Sequence, residues 1–141
     1  MRDFHGRILL IGFGIVAQTL LKMLPRHLRV PLNRITVIDF ADCTEALRPW
    51  TAKGVRYVRE DRPGLDFARN CGLLAATTPF LAYVDDDARP APDWVATLAA
   101  AFAAHPVAAV TGNVAPAELA TREQGLFEWV YGGMRHGFEQ W

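Results

Sequence analysis

Cysteine is nearly absent from this chain. Its 141 residues include two, Cys43 and Cys71, 28 positions apart and with no Cys-x-x-Cys pair. That argues against a disulfide framework or a thiolate metal site and fits a reducing cytosol. Net charge is absent too, since 15 basic residues balance 15 acidic ones. A neutral chain gives no electrostatic reason to expect DNA or RNA as a partner. Long apolar runs are also missing. Ile8 to Leu21 is uncharged for 14 residues, too short to span a bilayer. Arg2 and Arg7 precede it as they would in a signal peptide, but Gly12 and Gly14 interrupt it and no small-x-small cleavage site follows cleanly. The run from Trp94 to Ala117 is longer, yet His105-Pro106 and Gly112-Asn113 break it. The expectation is a protein without a membrane span, in the cytoplasm.

What is present is an ordinary globular mix, 51% apolar and 21% charged. The length suits one domain that buries a core without staples. Within it the composition changes. Residues 1–59 carry ten Lys/Arg and four Asp/Glu, whereas residues 60–141 carry five Arg, no Lys and eleven Asp/Glu. Alanine rises from 4 to 17 across the same point. Chance plus one Ala-rich helix is the bland reading; two sequence histories joined near Val58-Arg59-Glu60 is the sharper one.

Five β-rich runs alternate with helical sequence. The runs are Arg7–Gly12, Ile35–Asp39, Val55–Val58, Phe80–Val84 and Val107–Thr111. Helical pattern covers Gly14–Leu24, stopped by Pro25, then Thr44–Lys53, ended by Gly54, and Gly64–Thr77, with a small-residue face. A further helix starts at Pro92, with Trp94, Leu98 and Phe102 on one face. Thr121-Arg-Glu-Gln124 matches a capping box ahead of a last helix closed by Gly132-Gly133. The alternation predicts an α/β fold: one doubly wound, mostly parallel sheet of order 3-2-1-4-5. A ligand crevice is expected where strands 1 and 4 diverge, beyond their carboxyl ends.

Two clusters carry chemistry. In the first, Gly12-Phe-Gly14-Ile-Val-Ala17 follows a strand and opens a helix. Gly12 permits a tight turn, Gly14 lets backbone approach a pyrophosphate, and Ala17 is small enough for close packing. Asp39 falls 22 residues after Ala17, at the end of strand 2, where a carboxylate can hold a ribose hydroxyl. The alternative is a glycine turn that only tightens a strand–helix junction. In the second cluster, Asp85-Asp86-Asp87 follows strand 4. Asp85 and Asp87 can converge on Mg²⁺ or Mn²⁺, which take hard oxygen ligands and leave room for phosphates. A solvated acidic turn before Pro90 is the alternative.

Both clusters also carry family resemblances. Phe4–Gly14, Leu24-Pro-Arg-His27 and Ile35–Asp39 resemble the N-terminus of homospermidine synthase, a saccharopine-dehydrogenase-like enzyme that binds NAD. That resemblance covers about the first 59 residues. Arg59-Glu-Asp-Arg-Pro-Gly-Leu-Asp-Phe-Ala-Arg-Asn-Cys-Gly72, Tyr83-Val-Asp-Asp-Asp-Ala-Arg-Pro90, Pro92-Asp-Trp94 and Val107–Gly112 resemble family 2 glycosyltransferases, of the Rossmann-like GT-A fold. By that resemblance Asp85 and Asp87 hold a divalent cation on a nucleotide diphosphate, and Asp86 and Arg69 lie near the nucleotide. Otherwise Arg69 is an ordinary surface arginine.

The resulting expectation is a metal-assisted domain that binds a nucleotide-diphospho-sugar, truncated at its C-terminus and incomplete for transfer. Gly12, Gly14, Ala17, Asp39, Arg69 and Asp86 are its nucleotide-binding candidates, and Asp85 and Asp87 its metal candidates. NAD is the weaker cofactor expectation, because Asp85–Asp87 would border the pyrophosphate and repel it. The alternatives are an NAD(P)-binding oxidoreductase fragment and an inactive α/β scaffold. No catalytic residue is marked: Glu118, Glu123, Glu128 and Glu139 are the late acids, and nothing singles out one as a base. Phe127, Trp129, Tyr131, Phe138 and Trp141 crowd the C-terminal segment, which predicts self-association.

Overall fold

A computed structural model describes residues 1–131. The chain forms two compact units, one from Met1 to Ala88 and one beginning at Arg89. The first unit holds strands β1 (Arg2–Asp3), β2 (Ile8–Ile11), β3 (Leu28–Arg29), β4 (Ile35–Asp39) and β5 (Arg56–Arg59), with helices α1 (Ile15–His27), α2 (Thr44–Thr51) and α3 (Leu65–Ala75). The second unit holds α4 (Trp94–Ala104) and α5 (Arg122–Tyr131).

In the first unit β2, β4 and β5 make a parallel sheet in the order β2-β4-β5. Leu10 pairs with Val37, and Ile38 pairs with Val58. This is the 3-2-1 half of the expected order. Side chains alternate between sheet faces. Leu10 and Val37 therefore join Phe13, Leu21, Leu24, Ile35, Leu47 and Val55 in a core that includes residues of α1 and α2. Leu9 and Ile38 point the other way, toward α3, where a Cβ added at Gly72 would stand 2.6 Å from Leu9 Cδ2 and 3.7 Å from Ile38 Cδ1. Helices on both faces make the sheet doubly wound, as an α/β fold requires. A separate two-residue ladder pairs β1 with β3. The compositional seam near residue 59 falls inside this unit, between β5 and α3.

The fourth and fifth strands differ from expectation. Residues 80–84 and 107–111 are not strands. Phe80, Tyr83 and Val84 are exposed, and the Tyr83 hydroxyl donates to the Arg69 carbonyl of α3 at 2.7 Å. The segment is thus tied to a helix instead of laddered to β2. The Val107 N–H turns back to the His105 carbonyl at 2.9 Å, which takes the chain out of extended pairing.

Helix ends follow local chemistry, with corrections. α1 runs through Pro25 to His27, and α2 contains Pro49. Both prolines sit near the carboxyl end of their helix. There Arg26 and His27 also favour the α1 dipole. Gly54 ends the turn after α2 with φ +103°, a left-handed backbone that glycine adopts freely. α4 begins at Trp94 with Asp93 as its flanking residue, so Pro92 lies outside it. Trp94, Leu98 and Phe102 form its half-buried stripe, as the spacing predicts. The capping box before α5 is formed. The Gln124 N–H donates to Thr121 Oγ1 at 3.2 Å, and the Thr121 N–H donates to Gln124 Oε1 at 3.0 Å. Gly132-Gly133, Phe138, Glu139 and Trp141 lie outside the described residues. No helix among the described residues is long and apolar enough to cross a membrane.

Candidate functional site

Parallel strands end together, so the loops after β2, β4 and β5 share one edge of the sheet. The loop after β2 is the glycine turn. Gly12 takes φ +83°, and its N–H donates to the Ile38 carbonyl at 2.8 Å. Gly14 flanks α1 with no side chain capping it. A Cβ built at Gly12 or Gly14 would meet nothing within 4 Å, so the backbone there faces open space. Phe13 between them is 5% exposed and anchors the turn in the core. Ala17 packs against the same core.

Asp39 ends β4 and joins that turn. Its Oδ2 accepts the Phe13 N–H at 2.5 Å, and its Oδ1 accepts the Ala41 N–H at 2.8 Å. Gly12, Gly14, Ala17 and Asp39 are thus brought together. Tyr57 adds to the cluster. Its hydroxyl donates to the Ala41 carbonyl at 2.7 Å and accepts the Cys43 N–H at 3.2 Å. Sequence reasoning missed Tyr57, whose signal is only an aromatic in a β-rich run. Burial, with Asp39 and Asp42 nearby, pushes the Cys43 thiol up, and burial does the same to Cys71. Both cysteines are free and stay protonated at neutral pH, which gives neither the character of a nucleophile.

After β5 the chain makes a second unforeseen contact. Glu60 has an 11% exposed side chain, and its Oε1 accepts from Arg62 Nε at 2.8 Å. Arg62 in turn lies over the Phe67 ring, 4.4 Å from its centroid. The Arg62 side-chain and backbone N–H groups hold the Glu60 carboxyl below its usual range. A depressed carboxylate adds stability that is present above the ordinary pKa and lost as pH falls through the lowered one. The gap in urea midpoint between the wild type and Glu60→Gln should therefore be largest near neutrality and shrink below pH 4. A constant gap from pH 7 to pH 3 would contradict this.

The acidic run lies at the end of the first unit. Arg69 on α3 reaches Asp85, with a guanidinium nitrogen 3.3 Å from Asp85 Oδ1. Its guanidinium carbon also stands 5.8 Å from the Tyr83 ring centroid. The Ala88 N–H donates to the Asp85 carbonyl at 3.1 Å, closing a turn with Asp86 and Asp87 at its tip. All three aspartates are exposed. Among the described residues no three His, Cys, Asp or Glu side chains form a metal-ligand group.

Comparison with known proteins now bears on this arrangement. The profile of Glycosyl transferase family 2 matches residues 31–140, well over half of the chain. The chain belongs to glycosyl transferase family 2. The match runs through the seam at residue 59 and takes in β4, α2 and β5. Asp39, Arg69 and the three aspartates lie inside it, whereas Gly12, Gly14 and Ala17 lie outside. Two curated relatives are similar. A glucosyl-dolichyl phosphate glucuronosyltransferase of Haloferax volcanii is 32% identical over 88 residues, 60% of this chain and 28% of that protein. The succinoglycan biosynthesis protein ExoM of Rhizobium meliloti is 33% identical over 103 residues, 67% of this chain and 33% of that protein. The chain spans about a third or less of the length of these relatives.

Proposed function

We propose that this family 2 chain is the nucleotide-diphospho-sugar binding part of a metal-assisted glycosyltransferase. The observation that carries the reading is the Arg69–Asp85 pair, which sets a cation beside the first of three exposed carboxylates. Asp85 and Asp87 offer hard oxygen donors, and among the described residues no third ligand completes a group with them. That suits Mg²⁺ or Mn²⁺, which bind by one or two carboxylates and fill the remaining positions with phosphate and water. When bound, such an ion stabilises the charge of a departing diphosphate. Arg69 orients Asp85, and its remaining donors suit a phosphate oxygen. Asp86 at the turn tip and the open backbone of Gly12 and Gly14 are the remaining nucleotide contacts, with Ala17 allowing close approach. The glucuronosyl transfer named in one relative supports a hexose or hexuronic acid donor. We place the protein in the cytoplasm. Self-association is assigned to the C-terminal segment, where Phe127 and Trp129 are exposed.

A second reading, an NAD-binding fragment akin to homospermidine synthase, rests on the Gly12–Gly14 turn and its open front. Calorimetry separates the two. UDP should bind with Mn²⁺ present and much more weakly without it, while NAD⁺ should bind poorly in metal-free buffer. UDP affinity unaffected by Mn²⁺, together with tight NAD⁺ binding, would reverse the assignment. Failure of both ligands would leave the inactive scaffold.

A further inference from the structure

We infer that Asp39 is a positioning residue, a clasp that fixes the glycine turn for the nucleotide instead of recognising the nucleotide itself. Each carboxylate oxygen already holds one backbone N–H, Phe13 on the β2 loop and Ala41 on the β4 loop. One side chain therefore bridges two loops that are 26 residues apart in sequence at the Phe13 contact. Charge-assisted bonds of this kind are stronger than neutral ones. The backbone adds to the hold. The Gly12 N–H donates to the Ile38 carbonyl, and the Glu60 N–H donates to the Asp39 carbonyl. Gln18 Nε2 donates to the Phe13 carbonyl at 3.0 Å, so both polar groups of the Phe13 backbone are occupied. With Phe13 sunk in the core, the turn has one face free, the open side of Gly12 and Gly14. A ribose or base contact would have to share oxygens whose direction the two loops already set. The clasp instead sets where the open face lies. It acts on every nucleotide equally.

This inference rests on the proposed nucleotide site, and its test has two independent arms. Amide hydrogen exchange on the full chain, without ligand, reads the clasp directly. In Asp39→Ala the Phe13 and Ala41 amides should both exchange roughly tenfold faster or more. Asp39→Asn keeps one carbonyl oxygen, so only one of the two should lose protection, and this variant serves if Asp39→Ala fails to fold. Tyr57→Phe should affect Cys43 and leave Phe13 protected. Unchanged protection of Phe13 in Asp39→Asn and in Asp39→Ala would overturn the inference. The second arm measures UDP, GDP and ADP affinity with Mn²⁺. Asp39→Asn should weaken all three by a common factor. Selective loss of one nucleotide would make Asp39 a ligand and overturn the inference. If the wild type binds none of the three, the nucleotide site itself fails, and the exchange arm still decides whether Asp39 clasps the turn.

Discussion

Gly72→Val should destabilise the first unit by about 2–3 kcal/mol, the range expected when carbon is forced into a packed interface. Gly72 is the buried residue of α3. Its added Cβ would stand 2.6 Å from Leu9 Cδ2, closer than carbon atoms tolerate, and 3.6 Å from the Tyr83 hydroxyl. Valine adds two further carbons beyond that Cβ. Valine is a somewhat better helix residue than glycine, which offsets only a few tenths of a kcal/mol. The penalty therefore comes from the sheet, because α3 must lift from β2 and β4 or Leu9 must leave its rotamer. A matched control sits on the same helix: Asn70 is exposed, so Asn70→Val should change stability by no more than about 0.5 kcal/mol. Urea midpoints followed by circular dichroism measure both. Equal midpoints for Gly72→Val and Asn70→Val would show that α3 does not press on the sheet. The strain would also reach the Tyr83–Arg69 bond, so Gly72→Val should loosen the acidic turn.

Gly72 also shows what a sequence can reveal. A stripe of small residues predicts close approach of a helix to a sheet, because the missing side chains permit little else. The apolar runs at Ile8–Ile11 and Ile35–Asp39 were legible for a similar reason: β4 buries residues on both faces and β2 is buried or half-buried throughout, which suits a strand inside a layered sheet. Thr121 to Gln124 was legible because a capping box is satisfied within four residues. The fourth strand was not. Phe80–Val84 has the composition of a strand, but one hydroxyl bond from Tyr83 to the Arg69 carbonyl decides its partner, and that bond joins residues 14 apart. Pro25 misled in the other direction, whereas the helix across Pro49 was expected. Proline lacks the N–H that bonds back one turn and so reads as a stop, yet both helices continue two residues past it. At the site, residue types were legible and their partners were not. Asp39 reads as a ligand from its place after a strand, while its bonds to Phe13 and Ala41 depend on how two loops meet. The homospermidine synthase resemblance placed the break at residue 59, whereas the family 2 match begins at residue 31 and includes Asp39. Short parallel strands with similar runs of Ile and Val look alike in either family, so this boundary lies where local pattern discriminates least.

Removing either outer aspartate should cost the Mn²⁺-supported affinity for UDP about tenfold to thirtyfold. Two unit charges 4 Å apart near a protein surface interact by about 4 kcal/mol, before screening by solvent and salt. Asp85 and Asp87 are exposed, so half of that or less survives, and each 1.4 kcal/mol is about tenfold. The two substitutions should then diverge when metal is withheld. Asp87→Ala leaves the Arg69–Asp85 pair intact, and metal-free UDP binding should improve only slightly. Asp85→Ala releases the Arg69 guanidinium from its carboxylate partner. A freed guanidinium has donors matched to phosphate oxygens, so metal-free UDP binding should strengthen several-fold in this variant. The pair of variants thus separates the two parts of the site: the carboxylates proposed to hold the cation and the arginine that one of them restrains. Titrating UDP with Mn²⁺ and with chelator, for wild type and both variants, reads all six affinities in one buffer. If Asp85→Ala and Asp87→Ala both keep the full Mn²⁺ dependence, the cation sits elsewhere. If they fall together with Mn²⁺ but do not diverge without it, Arg69 has no access to the diphosphate, and its bond to Asp85 is a packing contact of α3.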